Sequence, residues 1–264
     1  MNLAVFGKFA AVSFQKEITY RFDYFMAVLN GFLYIFVFTA LWRALYAQGA
    51  GAGGFSAAGI TAYAIMAMAI RISFSMDDTT IAIKVRDGSI ATDLIRPVSF
   101  FMMNMAQCAG FSAFHTLARG VPILIFSIFL FKVDIPFTAR GTALGLLSLV
   151  MGYLILFMLN YLFGLIAFWI IEVFPFQLMK YGLLNLLGGS VIPVDLFPAS
   201  MKPFLALLPF QHIFYTPAAI LIGHATPERA LVMLTEQAAW VGIMGAASLL
   251  FWNAAKSRLV IQGG

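Results

Sequence analysis

The chain has 264 residues, of which 62% are hydrophobic and only 10% charged, and its mean hydropathy is +0.94. No ordinary soluble domain has that composition; at about 20 residues per span it is an integral membrane protein with room for six or seven crossings and no separate soluble domain. The net charge of +5 comes from scattered Lys and Arg without a basic run, which excludes a nucleic-acid surface, and the single cysteine, Cys108, excludes an internal disulfide.

In chain order, residues 1–23 place Leu3, Phe6, Ala10, Phe14 and Ile18 at helical spacing, with Lys8, Gln15, Lys16 and Thr19 on another face. That pattern predicts an amphipathic helix lying in the membrane interface. Lys8, Lys16, Glu17 and Arg21 interrupt any apolar core that a signal peptide would need. A first span is predicted over residues 24–45, followed by a glycine-marked turn. A second covers 57–74, with Arg71 near its end, placed to snorkel toward the headgroups. The third apolar segment, 100–131, is too long for one perpendicular crossing, so it tilts or begins in the interface. The fourth, 141–171, carries Gly141, Gly145, Ser148, Gly152, Asn160 and Gly164 along one helical stripe, a close-packing face within a bundle.

Between the second and third spans lies SMDDTTIAIKVRDGSIATDLIRPVS, residues 75–99, with seven of the chain's 27 charged residues. Ser75, Asp77 or Asp78 is placed to cap a short helix there, and Gly88 to end it in a left-handed turn. Pro97 keeps residue 96 out of helical geometry before the next span. A capped, charged helix at the surface of so apolar a protein is suited to docking a soluble partner.

Past the fourth span, residues 174–192 are apolar enough to cross once. Prolines 193, 198, 203, 209 and 217 then break the chain into pieces too short to span, and the last span is predicted over 230–251. With six crossings and both termini cytoplasmic, the inner segments hold ten Lys and Arg and the outer ones five, in the sense of the positive-inside bias. A seventh crossing would carry Lys256 and Arg258 outside. Six crossings leave residues 189–223 as a hairpin that dips in from the outer side and returns, which survives only where protein buries it or a cavity adjoins it. The expected fold is therefore all-α, with six transmembrane helices, an interfacial helix at the N-terminus and a re-entrant hairpin before the last span, all in one domain.

Catalytic and cofactor signatures are missing. No phosphate-binding loop, nucleophile elbow or zinc-protease motif occurs, and His115, His212 and His224 have no ligand partners at suitable spacing, so no metal is expected. Asp87, Gly88, Ala91 and Asp93 echo the acidic motif of lipid-headgroup transferases. Thr92 stands where that motif has arginine, however, and its later aspartates are missing. No enzyme is expected. His115 and Arg119 sit one turn apart inside the third segment, and ionisable residues at that depth are functional candidates by default. With no second cation converging on it, Arg119 reads as a structural pin bonded to nearby carbonyls or to Glu172. Asn104, Gln107, Asn160 and Asn185 read as bonds between helices.

Two regions carry a resemblance. Residues 83–99, IKVRDGSIATDLIRPVS, and residues 188–217, GGSVIPVDLFPASMKPFLALLPFQHIFYTP, are similar in order and spacing to motifs of ABC-2 permease subunits of ATP-binding-cassette transporters. The wording of the first looks most like a poorly characterised bacterial subgroup. The resemblance implies a subunit of an exporter in the bacterial cytoplasmic (inner) membrane. It implies a separate cytosolic ATPase that binds ATP and Mg, a second permease subunit, identical or related, and surrounding lipid. It makes residues 77–97 a cytoplasmic coupling loop seated in the ATPase, with Ile81, Ile83 and Ile90 as candidate anchors and Lys84, Arg86 and Asp87 at the rim. Gly188, Gly189, Pro193, Phe197, Pro198 and Pro209 fall in the implied outer gate. The rival expectation is a carrier driven by an ion gradient, which needs carboxylates inside the spans, and only Glu172 and Glu236 lie near span ends.

Overall fold

A computed structural model of the chain describes residues 2–19, 21–47, 54–136, 138–170 and 172–258. Among them there is no strand. Four of the described helices are long and apolar enough to cross a membrane: Phe25–Ala47, Phe100–Phe131, Ala139–Phe168 and Pro227–Lys256. One further apolar helix, α3 (Ala57–Ser73), is shorter, at 17 residues, and α9 (Phe174–Leu187) has 14.

The N-terminal helix α1 (Leu3–Ile18) starts at Asn2, whose side chain accepts from Ala4 N. It lies along α6 (Phe100–His115). The backbones meet at Gly110, where any Cβ would collide with the Ala10 carbonyl, so glycine is what allows the approach. Phe14 packs edge-on against Phe114, and no α1 residue is fully buried. After α2 (Arg21–Ala47), α3 is the most enclosed element. Every residue from Ile60 to Ile70 is buried, because α2, α7 (Val121–Phe131) and α11 (Gln211–Leu221) pack around it.

The long third segment is interrupted. A π-helical turn, Thr116–Gly120, separates α6 from α7 (Val121–Phe131). Pro122 explains it: lacking an N–H, it cannot close the bond to the residue 118 carbonyl, and the ladder slips by one residue. The turn is seated on α3, with the Thr116 hydroxyl donating to the Ser73 and Ser112 carbonyls.

The stripe on α8 (Ala139–Leu165) packs inside the chain. A Cβ at Gly145 would meet Leu221, one at Gly152 would meet the Ile213 and His212 carbonyls at 2.9 and 3.0 Å, and one at Gly164 would meet Ile81. The first two contacts seat α11 (Gln211–Leu221), whose residues 211–220 are all buried despite Pro217 in the middle. Between α9 and α11 the chain is irregular, with a 3-10 turn at Val194–Leu196 and one short α-helix, α10 (Lys202–Ala206). The last helix, α12 (Pro227–Lys256), is tied to α8 and α11 through Gln237. Its side chain accepts from Ser148 Oγ at 2.8 Å and donates to the His212 carbonyl at 2.8 Å. The main core joins α3, α8, α9 and α11. A second cluster, with Ile81, Ile90, Phe100, Tyr161 and Leu165, holds the charged stretch at one end of the bundle.

Candidate functional site

The charged stretch folds as two short helices, α4 (Thr80–Arg86) and α5 (Ile90–Leu94). Gly88, at φ 77°, makes the left-handed turn between them. The expected cap by Ser75, Asp77 or Asp78 is not formed: Thr79 is the N-cap and makes no side-chain cap bond, while Asp77 holds the turn before it by accepting from Thr79 N, Thr79 Oγ1 and Thr80 Oγ1. Burial pushes its pKa up, but those donors outweigh burial and hold it below the usual carboxylate value. Asp87 is likewise lowered, by hydrogen bonds from Ser89. Lys84 Nζ meets Asp93 Oδ2 at 2.7 Å and Arg96 Nη1 lies 3.6 Å from Asp93 Oδ1, so α4 and α5 are stapled into one unit around a buried carboxylate.

The expected anchors separate into two faces. Ile81 and Ile90 are buried against the chain's own helices, Ile81 on Gly164. Ile83 is 46% exposed, and Arg86 and Asp87 are also exposed. Lys84 turns to Asp93. Ile95, just past α5, which the sequence did not single out, is 84% exposed.

The stretch is also fixed to α9, a link the sequence did not reveal. Lys180, only 1% exposed, donates to Asp78 Oδ2 and to Asn160 Oδ1, the latter at 2.7 Å. Tyr181 OH donates to the same Asp78 oxygen at 2.6 Å, and Gln177 Nε2 to the Asp78 carbonyl at 3.3 Å. A lysine inside an apolar segment requires a counter-charge. That was the available signal, but Lys180 reads on sequence as one more inner-loop charge and Asp78 as a helix cap.

Behind this link is a cavity of about 320 Å³, bounded by α3, the third segment, α8, α9 and α11. Arg119 lines it from the π turn, its Nη2 3.4 Å from Ser75 Oγ. Arg71 lines it from α3, so a second guanidinium does share the space with Arg119. Glu172, just before α9, accepts from Phe174 N. His115 faces α1, with Nε2 3.8 Å from Glu17 Oε2; burial raises the Glu17 pKa. Asn104 bonds within its own helix, to the Phe100 carbonyl.

At the far end of α9, Gly188, Gly189, Pro193 and Pro209 are buried, Phe197 is partly so and Pro198 is exposed. The Gly189 carbonyl accepts from Tyr63 OH at 2.6 Å, and the Gly188 carbonyl from Tyr215 N at 3.2 Å. Gly189 has φ +80° and little room for a side chain beside Tyr215. Asp195 accepts from Tyr215 OH at 2.8 Å and lies 3.4 Å from His224 Nε2, whose ring stacks on Phe55 at 3.8 Å. Among the described residues no cluster of His, Cys, Asp and Glu fits a metal ion.

A family model described as ABC-2 family transporter protein matches residues 32–263. No curated protein and no solved structure gives a match.

Proposed function

The chain belongs to the ABC-2 transporter family, a multi-pass membrane permease component of an ABC transporter, and we propose that it drives export with energy from a separate cytosolic ATPase. In this reading it has six crossings, both termini cytoplasmic, and residues 189–223 re-entering from the outer side. The short α9, the short and buried α11 and the ten-to-five Lys/Arg bias support that topology.

The observation that carries the proposal is the α4–α5 unit. Its inner face is bolted to α8 through Ile81 on Gly164 and to α9 through Asp78 and Lys180, while Ile83, Arg86 and Asp87 remain outward. A rigid block gripped on one side and apolar at one point on the other is what a transmitting contact requires. ATP closure of a paired ATPase would displace the block. Lys180 would pass the displacement into α9, whose far end holds Gly188 and Gly189 against Tyr63 and Tyr215. Movement there would loosen the outer segment and open an outward path between two permease subunits.

The test is co-purification of the partner ATPase, together with ATP-driven transport in proteoliposomes. An apolar anchor at an interface is worth ~2 kcal/mol or more, whereas rim charges chiefly tune orientation. Ile83→Asp should therefore release the ATPase and abolish transport, while Arg86→Ala should weaken coupling and leave the complex assembled. Full transport by both variants with the ATPase bound contradicts the proposal. Transport that ignores ATP but collapses with an ionophore would instead mark an ion-driven carrier.

A further inference from the structure

The cavity beside α9 selects a chemistry of ligand, an inference that rests on the transport reading above. Arg71 and Arg119 both line it, and the one carboxylate in its wall, Asp78, is already held by Lys180 and Tyr181. Arg71 Nη1 reaches only a neutral hydroxyl, Ser190 Oγ at 3.4 Å, with the guanidinium 5.5 Å over the Tyr34 ring. It makes no ion pair among the described residues. A partly desolvated guanidinium gains most from an anion whose oxygens match its planar fork. The remaining wall is apolar or aromatic, with Phe74, Phe111, Leu156, Leu184 and Phe214, relieved by the amides of Asn160 and Asn185. A cationic ligand would need an open carboxylate, and none is offered.

We propose that this cavity is a substrate site for an anionic amphiphile, a phosphate or carboxylate head on an apolar tail. The head lies against Arg71 and Arg119 and the first part of the tail along the phenylalanines. At about 320 Å³ the space sits at the small end of ligand cavities, enough for a head and a short length of chain. Asp78 is part of the lining, so the ligand would touch one member of the Asp78–Lys180 pair that fixes α9 to the charged stretch.

The experiment uses the full chain in phosphatidylcholine nanodiscs and measures equilibrium binding of radiolabelled dodecyl phosphate, with empty discs subtracted. Saturable binding should be displaced by laurate. Inorganic phosphate and dodecyltrimethylammonium at the same concentrations should not displace it. Arg71→Gln should weaken binding about tenfold or more, the loss expected for one charge-assisted contact, and Arg71→Lys should retain part of it. Asn185→Phe, which narrows the cavity without touching an arginine, should also weaken the tailed ligands. Equal displacement by dodecyltrimethylammonium, displacement by inorganic phosphate as strong as by laurate, or undiminished binding in Arg71→Gln and Asn185→Phe each overturns the proposal. Absent binding with ATP-driven transport intact overturns the substrate class alone. Binding that follows the expected pattern without ATP-driven transport upholds the site and overturns the transport reading.

Discussion

At the scale of single residues, Lys180 and Asp78 hold the structure's most consequential contact. They are 102 positions apart in sequence, and each has a locally sufficient explanation that hides the pairing. Removing one partner of a buried pair leaves an uncompensated charge and costs about 3–5 kcal/mol, whereas replacing both with apolar residues is often neutral. Lys180→Met and Asp78→Asn should therefore each lower the melting temperature and folded yield. The double variant Asp78→Leu/Lys180→Met should recover most of both, a coupling that a double-mutant cycle measures. The double variant should still hydrolyse ATP with its partner but transport poorly, because the link into α9 is gone. Full transport by the double variant would reduce the pair to packing.

At the scale of elements, the glycine stripe of α8 was legible because small residues at helical spacing have one strong physical use in lipid. The structure adds which neighbour each glycine meets. Gly152 abuts two backbone carbonyls of α11, and backbone cannot move aside as a flexible side chain does. Gly152→Ala should therefore destabilise by about 1–3 kcal/mol through overpacking. Gly182, on α9, has open space where a Cβ would go. There the gain in helix propensity should dominate, and Gly182→Ala should be neutral or stabilising by up to about 1 kcal/mol. Thermal unfolding of the purified variants compares the two, and equal effects would mean that the α8–α11 contact is looser than described. The break in the third segment was not legible as such. Its length predicted a tilt or an interfacial start, while Pro122 places a π turn in its middle. The turn at Gly88 was legible because glycine tolerates positive φ, whereas the two faces of α4 were not. Ile81 and Ile83 differ only in what tertiary packing brings to each, Gly164 to one and open surface to the other.

At the scale of the whole molecule, composition and the long apolar segments pointed to the all-helical membrane class, and the order of two motifs carried the resemblance to the family whose model matches residues 32–263. What composition does not encode is connection: the α4–α5 unit, Asp78, Lys180, α9 and the Gly188–Gly189 turn form one continuous chain of contacts through the molecule. That chain has meaning only if the exposed face of α4–α5 is where force enters. The most direct measurement is photo-crosslinking in native membranes, with a photoreactive phenylalanine placed in turn at positions 83, 95, 81 and 90. Positions 83 and 95, outward in the structure, should give a covalent adduct with the cassette ATPase, and positions 81 and 90, buried against the chain itself, should give none. Adducts from 81 and 90 but not from 83 and 95, or no adduct from any position while transport proceeds, would contradict it.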